Sequence, residues 1–199
     1  MQNLWQYILK INKMNDRDDA LQIINNGKTL LYPTDTVWGI GCDARDEAAV
    51  NRIIEIKQRP LSKSFIILLD CVDRLEKYIA EVPGIAYDLI DFSEEPLTLV
   101  FDNGKNVSKQ VLSETGSIAI RIVKQGFCHE LIKRFRGPLL STSANISGEP
   151  GALDFAGISR HIKESVDFIV PEKEARFMSD KPSTIMKLSA DGTFTFIRR

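Results

Sequence analysis

Apolar residues along this chain fall into short runs of four to six and longer helical stripes, separated by polar punctuation. Residues 1–26 read as a peripheral helical segment. Asp18-Asp19-Ala20-Leu21-Gln22-Ile23-Ile24 has an apolar stripe at helical spacing, and Asn25-Asn26-Gly27 is a stop signal. Thr29 to Tyr32 is a short apolar strand that runs into Pro33 to Asp43, read as a turn-rich loop with two glycines, Gly39 and Gly41. A second helix is predicted from an N-cap at Asp46, with Glu47 at its positive end, to a terminus near Lys57. Ser64 to Leu69 reads as a buried strand, because it is a brief apolar run bounded by polar residues. Residues 73–92 form two helical segments split at Pro83-Gly84, and Pro96 to Phe101 and Ser117 to Ile122 are strands. A helix over Phe127 to Phe135 precedes the strand Leu139-Leu140. A further helix near Phe155 to Ile162 and a strand Phe168 to Val170 follow. The tail alternates on both sides of Asp191-Gly192, which predicts a terminal hairpin. Strands interleave with helices throughout, so the fold class is α/β with a mixed sheet.

A chain of 199 residues supports one sizeable core, and a single domain is the default. The formal net charge of −1 supplies no global field toward nucleic acid or anionic lipid, so any anion site must be local. No apolar run approaches the roughly 20 residues that span a bilayer. The opening residues Met1 to Tyr7 lack the basic-then-apolar layout of a signal peptide, which makes the cytoplasm the expected compartment. Cys42, Cys71 and Cys128 are odd in number and form no CxxC pair, so reduced thiols are expected. His129 and His161 are the only histidines and belong to no metal-ligand pattern. A protein-bound metal and chemistry built on an imidazole base are therefore not expected.

Two stretches carry candidate chemistry. Lys57 to Lys63 holds three cations, Lys57, Arg59 and Lys63, with no acid between them, at a helix end closed by Pro60. Such a junction suits a polyphosphate, although basic residues in a last helical turn also complement the helix dipole. Ser141 to Gly151 follows an apolar strand and opens with five hydroxyl or amide side chains in seven residues. It reads as a ligand-facing loop, or else as a set of ordinary turns and caps. No GxSxG elbow accompanies it, so a serine nucleophile is not expected. Gly27-Lys28-Thr29 is not a P-loop, because Gln22 stands where that motif needs glycine. Arg121 interrupts an apolar strand and lies either on an exposed face or in a site.

Taken together, Tyr32-Pro33-Thr34-Asp35-Thr36-Val37-Trp38-Gly39-Ile40-Gly41, then Lys57, Arg59 and Pro60, then Ser141-Thr142-Ser143-Ala144-Asn145, resemble the YrdC-like family of threonylcarbamoyl-AMP synthases in order and spacing. The similarity runs from about Gly27 to Arg198 and resembles the short, single-domain form, with 27–199 as the catalytic domain. It implies a twisted α/β sheet with flanking helices and an open, basic concave cavity. It also implies a reaction in which L-threonine, bicarbonate and ATP give L-threonylcarbamoyladenylate and pyrophosphate. The product would feed a threonylcarbamoyl transferase complex that modifies tRNA, with direct tRNA contact possible in principle. Mg²⁺ would arrive with ATP. Residue by residue, the resemblance places Lys57, Arg59, Ser143 and Asn145 at the reaction centre. Arg59, Lys63, Ser117, Ser143, Gly151 and Arg198 fall on ATP, and Thr36, Arg121, Ser141 and Ser183 fall around threonine.

The sequence departs from the family pattern at three places. Ser93-Glu94-Glu95-Pro96 replaces Trp-Pro-Gly-Pro, Leu68 stands where some members are polar, and Ile122-Val123 stands where Val-Pro is frequent. These departures keep open a carbamoyl transfer to another amine. A second alternative is a non-catalytic module for double-stranded RNA or tRNA, drawing on Lys124, Lys133, Arg134 and Arg136 with only Glu130 among them.

Overall fold

In the computed structural model, residues 16–58, 65–152, 154–179 and 181–199 are described. Helix α1 spans Asp16–Asn25, followed by strands β1 (Leu30–Pro33) and β2 (Trp38–Asp43) and helix α2 (Glu47–Lys57). Next come β3 (Ile66–Leu69), the short helices α3 (Leu75–Tyr78) and α4 (Ile85–Asp91), β4 (Leu97–Phe101) and β5 (Ile118–Ile122). Helix α5 (Gly126–Phe135), β6 (Leu139–Ser143), α6 (Arg160–Ser165), β7 (Phe168–Ile169), β8 (Thr184–Leu188) and β9 (Phe194–Arg198) complete the order. The strands form one nine-stranded sheet in the order β7-β1-β2-β6-β3-β5-β4-β8-β9. Pairs β1/β7, β3/β5 and β4/β8 are parallel and the others antiparallel, so the sheet is mixed, as its sequence pattern predicts.

Side-chain alternation along the strands divides the interior into two layers. Leu30 and Tyr32 of β1, Leu68 of β3 and Leu139 of β6 face α1 and α5, where Ala20, Ile24, Leu131 and Ile132 are buried. Leu31, Ile40, Ile67, Leu69 and Leu140 point the other way, onto Ala49, Val50, Ile53 and Ile56 of α2. Helix α2 starts where predicted: the Asp46 carboxylate accepts from the amides of Ala48 (2.9 Å) and Ala49 (3.1 Å). It ends with Gln58 in the left-handed region at φ 49°, whose amide reaches back to the last turn. Among the described residues no helix is long and apolar enough to cross a membrane.

Three expectations are corrected. Gly39 and Gly41 lie within strand β2, not in a loop, paired on one side with Tyr32 and Leu30 and on the other with Ser143 and Ser141. At Gly41 the reason for glycine is steric. A Cβ there would lie 2.2 Å from the Leu140 carbonyl oxygen and 3.0 Å from the Tyr32 ring. Ser141 and Ser143 likewise belong to strand β6, so their side chains are aimed by a sheet and not by a turn. The helix expected over Phe155 to Ile162 begins only at Arg160, capped by the Ser159 hydroxyl. Phe155 instead stacks on Trp38 with ring centroids 4.9 Å apart.

Candidate functional site

The α1/α5 layer covers only one end of its sheet face. Register places Gly39, Ile66, Val100, Ala119, Arg121, Ser141 and Ser143 on the same face as Leu68 and Leu139. Beyond the helices that face is open, and it floors a cavity of about 520 Å³. The turn Thr34–Val37 bounds it on one side, and Pro182, Ser183, Ile197 and Arg198 on the other.

Two guanidinium groups face this cavity. Arg121 is 5% exposed, and its Nη2 lies 2.9 Å from Oδ1 of Asp35. Its buried Nε has no hydrogen-bond partner among the described residues. Arg198 donates through Nε and Nη2 to the Ser183 carbonyl, at 3.1 and 2.8 Å. Burial, and then the like charge of Arg121, lower the Arg198 pKa from its ordinary value, which records two cations close together. A pair held this way favours an anion between them.

Hydroxyls complete the lining. Thr36 and Ser141 are buried, and the Ser183 hydroxyl is 2.8 Å from that of Thr98. The turn carrying Thr36 is pinned by Thr34, whose hydroxyl donates to the Val37 carbonyl (2.7 Å) and accepts from the Thr36 amide (3.0 Å). Ser143 donates to Oδ1 of Asn145 at 2.5 Å. The Asn145 amide in turn donates to the carbonyls of Ile146 (3.1 Å) and Glu149 (2.7 Å), which folds the loop after β6 back on itself.

Of the residues singled out in the sequence, Thr36, Arg121, Ser141, Ser143, Gly151, Ser183 and Arg198 line this one cavity. Lys57, expected at the reaction centre, is not among the residues that line the cavity. It is 1% exposed at the end of α2, and its Nζ donates to the carbonyls of Ser143 (2.6 Å) and Asn145 (2.7 Å). An ammonium spanning two carbonyls holds the β6 loop from behind. Asn145 is half-buried and is likewise not among the residues that line the cavity. Ser117 stands two residues before Ala119, on the approach to β5, with its hydroxyl 2.7 Å from that of Ser113. Arg59 and Lys63 lie outside the described residues.

Three elements of the site were not identified from the sequence. The Asp35–Arg121 pair joins residues 86 positions apart, and neither local pattern announces the other. The Thr98–Ser183 pair and the apolar floor of Ile66, Val100, Ala119 and Ile185 depend on strand register, which periodicity alone does not fix. Leu68, which stands where some family members are polar, is buried under α1 and α5. Ser93 to Pro96 line a second cavity of about 340 Å³ with Asp35, Lys124, Gln125 and Phe177. The Lys124 amine donates there to the carbonyls of Ile90 (2.7 Å) and Ser93 (2.9 Å), and Arg134 pairs with Asp18, so two of the four cations of the RNA alternative are engaged internally. Burial pushes the thiols of Cys42 and Cys128 far above their ordinary value, which leaves both protonated and inert.

Comparison with known proteins adds the following. A family profile described as Telomere recombination (Sua5_yciO_yrdC) matches residues 22–199. A threonylcarbamoyl-AMP synthase of Pseudoalteromonas translucida is 33% identical over 169 residues, which cover 83% of this chain and 89% of that protein. One from Chromohalobacter salexigens is 35% identical over 177 residues, covering 88% and 94%. Among solved structures, P. abyssi Sua5 complexed with L-threonine superposes with a TM-score of 0.82 at 28% identity. That match covers 94% of this chain and 55% of Sua5, so the chain spans about half the length of that protein.

Proposed function

Since the chain belongs to the Sua5/YciO/YrdC family, we propose that it is a nucleotidyltransferase that makes L-threonylcarbamoyladenylate and pyrophosphate from L-threonine, bicarbonate and ATP. The observation that carries this reading is the convergence of Arg121, Arg198 and the hydroxyls of Thr36, Ser141, Ser143 and Ser183 on one cavity of about 520 Å³. Threonine and bicarbonate condense to a carbamate with loss of water. A carbamate oxygen then attacks the α-phosphorus of ATP, the bond to the bridging oxygen breaks, and pyrophosphate leaves. Charge grows on phosphoryl oxygens in that step, and fixed cations and hydroxyl donors stabilise it without a covalent enzyme intermediate.

Arg121 takes the threonine carboxylate as a charge-assisted pair, with Thr36, Ser141 and Ser183 around the amino acid. Ser143, Gly151 and Arg198 hold the nucleotide. Ser117, just before β5, serves the rim of the nucleotide site. Lys57 and Asn145 set the position of Ser143, and Arg59 and Lys63 supply the remaining phosphate cations. Mg²⁺ enters with ATP and is held mainly by phosphates and water. The product passes, in the cytoplasm, to a threonylcarbamoyl transferase acting on tRNA.

Purified protein should release pyrophosphate only when threonine, bicarbonate and ATP are all present, with the adenylate identified by mass spectrometry. Release that ignores threonine would overturn the reading. So would faster release with another amino acid.

A further inference from the structure

Asp35 has no role in the chemistry just described, yet it is placed where it governs Arg121. It sits in the Thr34–Val37 turn with a side chain 10% exposed, opposite an Arg121 side chain 6% exposed. Withdrawing both charges from water is costly, so the pair adds little stability by itself. Nor does Asp35 consume the arginine. The 2.9 Å contact is an ion pair to Nη2; neither Oδ1 of Asp35 nor Nε of Arg121 has a hydrogen-bond partner among the described residues, and Arg121 lines the cavity. Arg198 stands close enough to feel the Arg121 charge, so without a counter-charge the two guanidinium groups would push apart. The other charged groups around Asp35 are Glu94, Glu95 and Lys124 across the second cavity, with the protonated Cys128 beneath. Glu94 and Glu95 cannot help to hold a carboxylate. Lys124 is tied to backbone carbonyls of the α4 end.

We propose that Asp35 is a positioning residue: by gripping one nitrogen of Arg121 it aims the remaining donors of that guanidinium at the carboxylate of the amino-acid substrate. This deepens the function proposed above and rests on it. Asp35 acts through Arg121, so its loss is read in the amino acid and not in the nucleotide.

The test compares Asp35→Asn, Arg121→Gln and the double variant by threonine calorimetry and by pyrophosphate release. Asp35→Asn should weaken threonine binding and raise its KM by about 10- to 100-fold, the scale of one charge-assisted contact, with the KM for ATP held within about twofold. In the Arg121→Gln background, Asp35→Asn should have no further effect on threonine. Equal losses for threonine and ATP, or additive losses in the double variant, overturn the inference. Should Asp35→Asn fail to fold, Asp35→Glu, which keeps the charge but moves the carboxylate, is read by the same threonine and ATP measurements, and the wild-type protein reports whether Arg121 meets threonine. Its Arg121 Nε resonance, assigned by its absence from Arg121→Gln, should shift with threonine and not with ATP alone. A resonance that threonine leaves unmoved counts against the inference. Wild-type protein that binds other amino acids but not threonine overturns the substrate reading and not the role of Asp35, which the same variants then test with the amino acid that binds.

Discussion

At the scale of single residues, burial changes what a charge can do. Lys57 is a cation in sequence, but its amine donates to two backbone carbonyls in a region closed to water. Replacing it with methionine keeps the stem and removes the donor; the Ser143 carbonyl still accepts from the Asn145 amide (2.9 Å), but that of Asn145 loses this donor at a cost of about 1–3 kcal/mol. Lys57→Met should therefore lower the denaturation midpoint and turnover together. Lost turnover with an unchanged midpoint would return Lys57 to the phosphates. Arg121 and Arg198 are the opposite case, since both keep a face toward the cavity.

At the scale of elements, strands aim the site, and what they tolerate is set by neighbouring backbones. Gly41→Ala would drive a Cβ to within 2.2 Å of the Leu140 oxygen, a backbone atom fixed by the β2–β6 ladder. The expected cost is about 1–3 kcal/mol, or about 2–12 °C in Tm. An unchanged Tm would show that the strands can part without penalty. The short β7 is tied to β1 partly through Asp167, which accepts from the Thr29 amide (2.9 Å) and hydroxyl (2.8 Å). Burial alone would raise the Asp167 pKa, but those donors, with Lys28 and Arg52, hold it below the ordinary carboxylate value. Its folded pKa is thus below its unfolded one. The stabilisation is complete above the unfolded value of about 4 and is lost as pH falls through the folded pKa. The Tm gap between wild type and Asp167→Asn should be widest near neutrality and close on acidification.

These elements also mark how far the sequence could be read. The Asp46 cap, the end of α2 near Lys57, the α5 helix and the terminal hairpin were legible because each is written in adjacent residues. Strand β2 was not, because its glycines read locally as a loop and the reason for Gly41 is a contact with Leu140, about a hundred residues away. The lining of the cavity was legible in its hydroxyls and arginines. The Asp35–Arg121 pair and the apolar floor were not, because they exist only once β3, β5 and β4 have taken their register.

At the scale of the molecule, the cavity is the part of one sheet face that two helices leave uncovered, and its far wall is built by the last strand of the sheet. Arg198→Met should raise the KM for ATP by about 10- to 100-fold, on the scale of one ionic contact. It should lower Tm by only a few degrees, because β9 is an exposed strand and the change removes only the donation to the Ser183 carbonyl. A large drop in Tm with an unaltered KM would make Arg198 a structural residue. The position of this wall carries a consequence for biosynthesis. Ribosomes deliver residues in chain order, so a nascent polypeptide can form the β1–β2 hairpin, the Thr34 turn and the Arg121 strand well before position 198 leaves the exit tunnel. The grip on a nucleotide therefore forms only after the amino-acid side of the cavity, and a polypeptide interrupted before position 198 would lack the wall that Arg198 supplies.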